Sequence, residues 1–126
     1  YIITLQPTTP LRSSKQIDDA IKKIVDENAD SLVSVCKSHD FYWKKGEKFY
    51  FPKNYSPINR PRSQDFEQYK ENGVIYISDS SKMLKINNRI FGNVTIFEID
   101  KWNSIDIDDQ KDLMMTDYVY KKFLQK

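Results

Sequence analysis

The chain has 126 residues, 39% hydrophobic and 30% charged, with a formal net charge of +2; that balance excludes a disordered chain and a protein built to coat nucleic acid. No apolar run approaches the roughly 18 residues of a membrane span, and the opening YIITLQPTTP lacks the basic start and small-residue cleavage site of a secretory signal. Cys36 is the single cysteine, which excludes an internal disulfide or a thiolate zinc cluster and favours a reducing, cytoplasmic setting.

Tyr1 to Gln6 is a short apolar run, β-branched in its middle and closed by Pro7, and it predicts a buried strand. A chain that opens inside a strand leads us to expect a further N-terminal portion upstream. QPTTPLR follows, with two prolines three apart that permit neither strand nor helix interior. Ser13 or Ser14 is suited to cap a helix whose apolar stripe is Ile17, Ala20, Ile21, Ile24 and Val25. Ser31 to Lys37 alternates and predicts a strand, giving the strand–helix–strand order of a parallel α/β sheet.

Residues 41 to 51, aromatic and basic around KGEK, predict an antiparallel hairpin with Gly46 in its turn. Residues 52 to 72 read as a long polar loop with three prolines. Strands are expected at Gly73 to Ser78 and at Val94 to Ile99, with a short helix between them capped by Asp79 or Ser80 and carrying Met83 and Leu84. Ser104 to Asp108 alternates strictly and predicts a strand. From Asp109 a final helix would gather Leu113, Met114, Tyr118, Val119 and Phe123 near one face.

Three segments could carry chemistry. In SIDID, a strand would turn Ile105 and Ile107 inward and leave Asp106 and Asp108 about 7 Å apart on the other face. Two carboxylates so placed suit Mg²⁺ completed by substrate phosphates; alternatively, Asp108 or Asp109 simply caps the final helix. QPTTPLR places Gln6, Thr8, Thr9 and Arg12 at the carboxyl end of a strand, where open α/β sheets bind ligands, or forms a rigid turn. NRPRSQ offers Arg60 and Arg62 on a proline-stiffened loop, suited to anion capture or merely solvated. Between residues 41 and 64 six cations face Glu47 alone, a local +5 that fits an anionic ligand or a solvated basic hairpin. His39 reads as a turn residue and Cys36 as packing. Phosphate-loop, Rossmann and nucleophile-elbow patterns are absent; the three glycines stand at 46, 73 and 92.

In this order, LQPTTPLR, DSLVSVC, PRSQ, NGVIYI and SIDIDD resemble the acylneuraminate (sialic-acid-type) cytidylyltransferases, over nearly the whole chain. The resemblance implies a partial nucleotide-diphospho-sugar-transferase-like, Rossmann-like α/β fold with a mixed sheet. It also implies a single cytidylyltransferase domain over residues 1–126, with about residues 40 to 70 as a hairpin that forms a dimerisation arm. The implied reaction joins CTP to a sialic-acid-like 2-keto sugar acid and releases diphosphate, with Mg²⁺ or Mn²⁺ as cofactor, a homodimer as assembly, and neither nucleic acid nor membrane as partner. Asp106 and Asp108 would hold the metal, and Asp108 would help activate the sugar hydroxyl. Gln6 and Tyr76 would contact the sugar, Phe91 beside Ile90 would wall the acyl pocket, and Arg62 would reach the partner subunit's site. Arg12, Gln64 and Asn72 complete the substrate-binding set.

Two departures qualify the resemblance. Lys70 and Glu71 stand where the family pattern reads Arg-Pro before Asn-Gly. The family's glycine- and lysine-containing nucleotide loop lies before the QPT motif and is not in these residues, so the chain by itself is expected to be inactive. Two alternatives stand beside this reading. One is a non-enzymatic dimeric remnant of the same fold; the other is a cytidylyltransferase for another sugar acid, such as 3-deoxy-octulosonate, legionaminate or pseudaminate. The first strand, with nothing beside it, is expected to present an exposed edge that association buries.

Overall fold

A computed structural model describes residues 1–125. The chain divides into two compact units, Tyr1–Cys36 with Glu71–Lys126, and Lys37–Lys70.

The first unit is a mixed α/β sheet with helices. Ser13 starts the first helix, α1 (Ser14–Asp26), through a reciprocal box: its hydroxyl accepts from the Gln16 N–H while the Gln16 side chain accepts from the Ser13 N–H. The stripe of α1 buries Ala20 and Ile24 completely, with Ile17 and Ile21 partly covered. Val25, expected on that stripe, is 53% exposed: at one residue beyond Ile24 it has rotated past the edge of the buried face.

Four strands make the main sheet, in the order β1-β5-β2-β6: β1 (Ile2–Thr4), β5 (Gln68–Ser78), β2 (Ser31–Ser38) and β6 (Val94–Glu98). The expected parallel pairing of the first two strands does not form. Strand β5 lies between them and pairs antiparallel with β1, Ile3 opposite Ile77, while β2 runs parallel to β6 with Val33 opposite Ile96. Strand β1 is an edge rather than a buried strand; Tyr1, Ile2 and Ile3 are all exposed.

The central strands are covered on both faces. Leu32, Ile75 and Ile77 pack with Ala20, Ile24, Ala29, Val74 and Ile99. Val33, Val35 and Tyr76 form a smaller cluster with Ile90 beside it. Burial of both faces also takes in Ser31 and Ser34, whose hydroxyls bond to the backbone and side chains of neighbouring segments.

Helix α2 (Ser80–Ile86) is capped by Asp79, whose carboxylate accepts from Lys82 N–H, and ends at Asn87 in the left-handed region. Helix α3 (Gln110–Val119) starts at Asp109, in a capping box with Asp112. Its expected apolar face is largely uncovered: Thr116 and Val119 are buried, but Leu113, Met114, Tyr118 and Phe123 are exposed. A π-helical turn over Tyr120–Leu124 prolongs α3.

SIDID is not a strand. Ser104 closes a 3₁₀ turn (Lys101–Ser104), and residues 105 to 107 run extended without a ladder partner. Ile107 N–H bonds to Thr8 C=O at 2.8 Å. The alternation itself survives, with Ile105 and Ile107 half-buried and Asp106 and Asp108 exposed. An extended chain alternates its side chains whether or not it is paired.

The second unit contains the expected hairpin, β3 (Trp43–Lys45) against β4 (Tyr50–Pro52), antiparallel with Lys44 opposite Phe51. Gly46 N–H closes the turn onto Phe49 C=O at 2.9 Å. Beyond the hairpin, Phe41 stacks on Phe66 with centroids 4.7 Å apart and meets Tyr55 edge-on at 4.8 Å. The presumed loop is shorter than read, broken by a 3₁₀ turn at Ser63–Asp65 and ended where β5 begins at Gln68.

Candidate functional site

The site grows from the turn after β1. Pro7 and Pro10 stiffen the turn, and Arg12 locks it from within: one guanidinium nitrogen donates to Gln6 C=O at 2.8 Å and to Thr9 C=O at 2.6 Å. Thr9, fully buried, donates its hydroxyl toward Gln6 C=O and Gly73 C=O. Arg12 therefore holds the loop that presents Gln6.

Gly73 is where this turn meets β5. Its φ of 70° lies in the left-handed region, and a Cβ there would collide with Gln6 Oε1 and stand 3.9 Å from Tyr76 Oη. The bare glycine is what lets the Gln6 amide and the Tyr76 hydroxyl approach one patch of backbone. Asn72, 8% exposed, braces the same spot: its carbonyl accepts from Ser34 Oγ at 2.6 Å, and its amide donates to Ser104 Oγ at 2.8 Å. Asn103 ties the 3₁₀ turn to Leu11 C=O at 2.8 Å. Residues 6, 73, 76 and 104 to 107 are thus brought together by bonds between segments far apart in sequence.

Tyr76 is buried beside this turn. Its hydroxyl donates to the Glu71 carboxylate, and the Arg89 guanidinium sits over its ring, 3.9 Å from the centroid. Burial pushes the phenol up to about 12; the Glu71 hydrogen bond and the negative charges of Glu71 and Asp106 act in the same direction, while Arg89 opposes them. The influence of Asp106 on Tyr76 puts that carboxylate in the neighbourhood of the ring.

Asp106 and Asp108 are exposed, and neither side chain makes a hydrogen bond or ion pair with a described residue; the Asp108 N–H donates to Asp112. No group of three or more His, Cys, Asp or Glu side chains converges among the described residues. Two hard oxygen donors with open coordination positions fit Mg²⁺ or Mn²⁺, which would take the rest of its shell from substrate and water. Helix α3 is capped by Asp109 rather than Asp108, which leaves the Asp108 carboxylate free for this role.

Phe91 is buried, its backbone exchanging two hydrogen bonds with Ser31 Oγ. Arg62 and Gln64 are exposed in the second unit, at the 3₁₀ turn. The Arg60 guanidinium lies 4.0 Å over the Phe41 ring, so of that pair Arg62 presents the side chain without a partner among the described residues. His39 is exposed, its Nδ1 3.2 Å from Phe66 O, and Cys36 is buried. Glu71 and Arg89 were not among the residues expected to form the site. The one signal for Glu71 was its departure from the family pattern; for Arg89, 13 positions from Tyr76 in the chain, there was none.

No family model matches the chain. Curated proteins do. It is 32% identical over 112 residues to "N-acylneuraminate cytidylyltransferase A" of Danio rerio, a match covering 85% of this chain and 26% of that protein. It is 30% identical over 129 residues to "N-acylneuraminate cytidylyltransferase" of Escherichia coli O18:K1:H7 (strain RS218 / NMEC), covering 94% of this chain and 29% of the other. A 35% identical match over 81 residues, to "N-acylneuraminate cytidylyltransferase" of Oncorhynchus mykiss, covers 60% of this chain and 19% of that protein. The chain therefore spans about a quarter of the length of the curated relatives it matches.

Proposed function

Since the chain belongs to the N-acylneuraminate cytidylyltransferase family over the stretch it shares with these relatives, we propose that it forms the sugar- and metal-binding part of such an enzyme. The reaction would transfer CMP from CTP to a sialic-acid-like 2-keto sugar acid and release diphosphate. The observation that carries this reading is the meeting of Gln6 and Tyr76 at Gly73, with residues 104 to 107 tied to the same place through Asn72 and Thr8. Three motifs, separated by some seventy and then thirty residues, supply one wall.

In this reading Gln6 and Tyr76 position the sugar, and the bonds of Arg12 to its own loop's carbonyls and of Asn72 to the Ser34 and Ser104 hydroxyls keep them in register. Asp106 and Asp108 would hold Mg²⁺ or Mn²⁺, which when bound offsets charge on the triphosphate. Asp108, whose carboxylate bonds to no other described side chain, accepts the proton of the attacking sugar hydroxyl. Phe91 closes the acyl side of the pocket, while Arg62 and Gln64, on the Lys37–Lys70 unit, serve the site of a second subunit in a homodimer. The exposed apolar edge of β1 and the exposed aromatics of the hairpin are surfaces that such an assembly would cover. A cytoplasmic setting, where CTP is made, goes with this reading. No helix among the described residues is long and apolar enough to cross a membrane.

The test is direct. The 126-residue chain is titrated with N-acetylneuraminate, with and without Mg²⁺, and assayed for diphosphate release with CTP. Binding of the sugar acid without turnover is expected, because none of these residues forms the glycine- and lysine-containing nucleotide loop. Failure to bind any nonulosonic acid would overturn the reading, and efficient CMP-sugar formation would overturn the assignment as a part. Sedimentation at micromolar concentration reads the assembly; a stable monomer would sink the dimer.

A further inference from the structure

The two carboxylates of SIDID stand on a stretch of chain that no sheet holds. Residues 105 to 107 run extended outside the ladders, and neither the Asp106 nor the Asp108 carboxylate bonds to a described side chain. A cation of the Mg²⁺ or Mn²⁺ type tolerates little distortion of its octahedral shell. Metal-ligating carboxylates gain that precision from hydrogen bonds of their own. Here the precision has to come through the backbone.

Two half-buried side chains just upstream supply it. Asn103 donates its amide to Leu11 C=O at 2.8 Å, across 92 positions of sequence. Ser104 uses both halves of its hydroxyl: Oγ donates to Asp100 C=O at 2.8 Å and accepts from the Asn72 amide at 2.8 Å. Asn72 accepts in turn from the buried Ser34 hydroxyl at 2.6 Å, so this relay ends in the central strands β5 and β2. Past Asp106, Ile107 N–H bonds to Thr8 C=O. The chain is thereby held two residues before Asp106 and one residue after it. Thr8 and Leu11 belong to the turn that Arg12 locks, the same turn that presents Gln6.

The 3₁₀ turn does not need these bonds to form. Its cap is Asp100, whose carboxylate accepts from Trp102 N–H at 2.8 Å. The Asn103 and Asn72 bonds reach away from the turn, one to the Gln6 loop and one to the sheet. We infer that Asn103 and Ser104 are positioning residues for the divalent cation: they act through the backbone, holding the chain from which Asp106 and Asp108 project in register with the Gln6 turn. The inference rests on the cytidylyltransferase reading and deepens its metal site.

The experiment titrates the 126-residue chain with Mn²⁺ and reads the EPR signal of the free ion, without substrate or turnover; urea unfolding is followed on the same samples. Asn103→Ala and Ser104→Ala should each weaken Mn²⁺ binding by roughly tenfold, the low end of what supporting groups contribute to metal affinity. Ser104→Thr keeps the hydroxyl and should recover most of the affinity. Ile24→Val, which lowers stability in the core away from the carboxylates, should leave Mn²⁺ affinity at the parent value. Parent affinity in a folded Asn103→Ala or Ser104→Ala, no recovery in Ser104→Thr, or an equal loss in Ile24→Val would each overturn the inference. The metal reading would survive those results if Asp106→Asn abolishes binding. The two alanine variants remove separate bonds, so one that folds suffices; if neither folds, the pair serves the fold rather than the cation and the inference fails. A parent chain that binds no Mn²⁺ would overturn the metal reading and the inference together.

Discussion

The two units of this chain hold themselves together by different means. In the α/β unit the interior is aliphatic and closed: Ile24, Leu32, Val74, Ile75 and Ile77 are at 0% exposure. In the Lys37–Lys70 unit no hydrophobic side chain is buried, and Ser38 is the one buried residue. What replaces a core there is a pile of half-exposed rings, Phe66 on Phe41 on Tyr55, with Arg60 laid over the top. The first unit is specified by water exclusion and by inter-segment hydrogen bonds. The second keeps its shape through aromatic geometry and a short ladder, and it leaves Trp43, Phe49, Tyr50 and Phe51 facing outward. The α/β unit also exposes apolar side chains, on β1 and on α3, but it does so around a closed core that the second unit lacks.

The sharpest way to break this contrast is truncation on each side. Ile75→Ala, in the central strand, is expected to cost about 2–5 kcal/mol, while Phe51→Ala, at 53% exposure, should cost under about 1 kcal/mol; urea unfolding measures both, and equal losses would erase the distinction. Gly73→Ala comes next. Forcing a Cβ into the left-handed region costs about 1–3 kcal/mol, and the collision with Gln6 adds a loss of sugar-acid binding larger than the loss of stability explains.

Phe41→Ala should act within the hairpin unit. Removing the stack on Phe66 and the seat of Arg60 is expected to cost roughly 0.5–1.5 kcal/mol beyond lost area. Hydrogen exchange should rise between residues 37 and 70 while the strands of the α/β unit keep their protection. The smallest effect is spectroscopic. In a phenolate absorbance titration Tyr76 should ionise late, at about 12, and Glu71→Gln should bring it down. The folded chain holds this proton more tightly than the unfolded chain, which releases it near 10. The stabilisation is therefore complete below about pH 10 and is lost as pH rises toward the folded value.

Local signals were legible where the physics is local. Ser13 or Ser14 marked the start of α1, Asp79 or Ser80 that of α2, and Gly46 the hairpin turn, because capping and tight turns involve residues a few positions apart; the structure selects Ser13 and Asp79. Readings that needed a partner fared worse. SIDID alternates as a strand does, but a strand requires a neighbour to bond, and residues 105 to 107 bond to Thr8 without joining a ladder. Tyr1 to Gln6 looked buried because it is apolar, yet Tyr1 to Ile3 are exposed at the sheet edge, where the strand was also expected to lie. The α3 stripe likewise showed an apolar face without showing whether anything covers it.

The site divides along the same line. The sequence by itself pointed to the family, the stiff QPTTPLR turn and the alternation that turns Asp106 and Asp108 outward, since each is written in contiguous residues. Only the tertiary structure decided that Arg12 spends its guanidinium on the backbone of its own loop and that Asn72 links Ser34 to Ser104. The same holds for the setting of Tyr76 between Glu71 and Arg89. Those choices depend on which strands lie side by side, and the order β1-β5-β2-β6 is fixed by the burial of both faces of the central strands rather than by any short run of the chain.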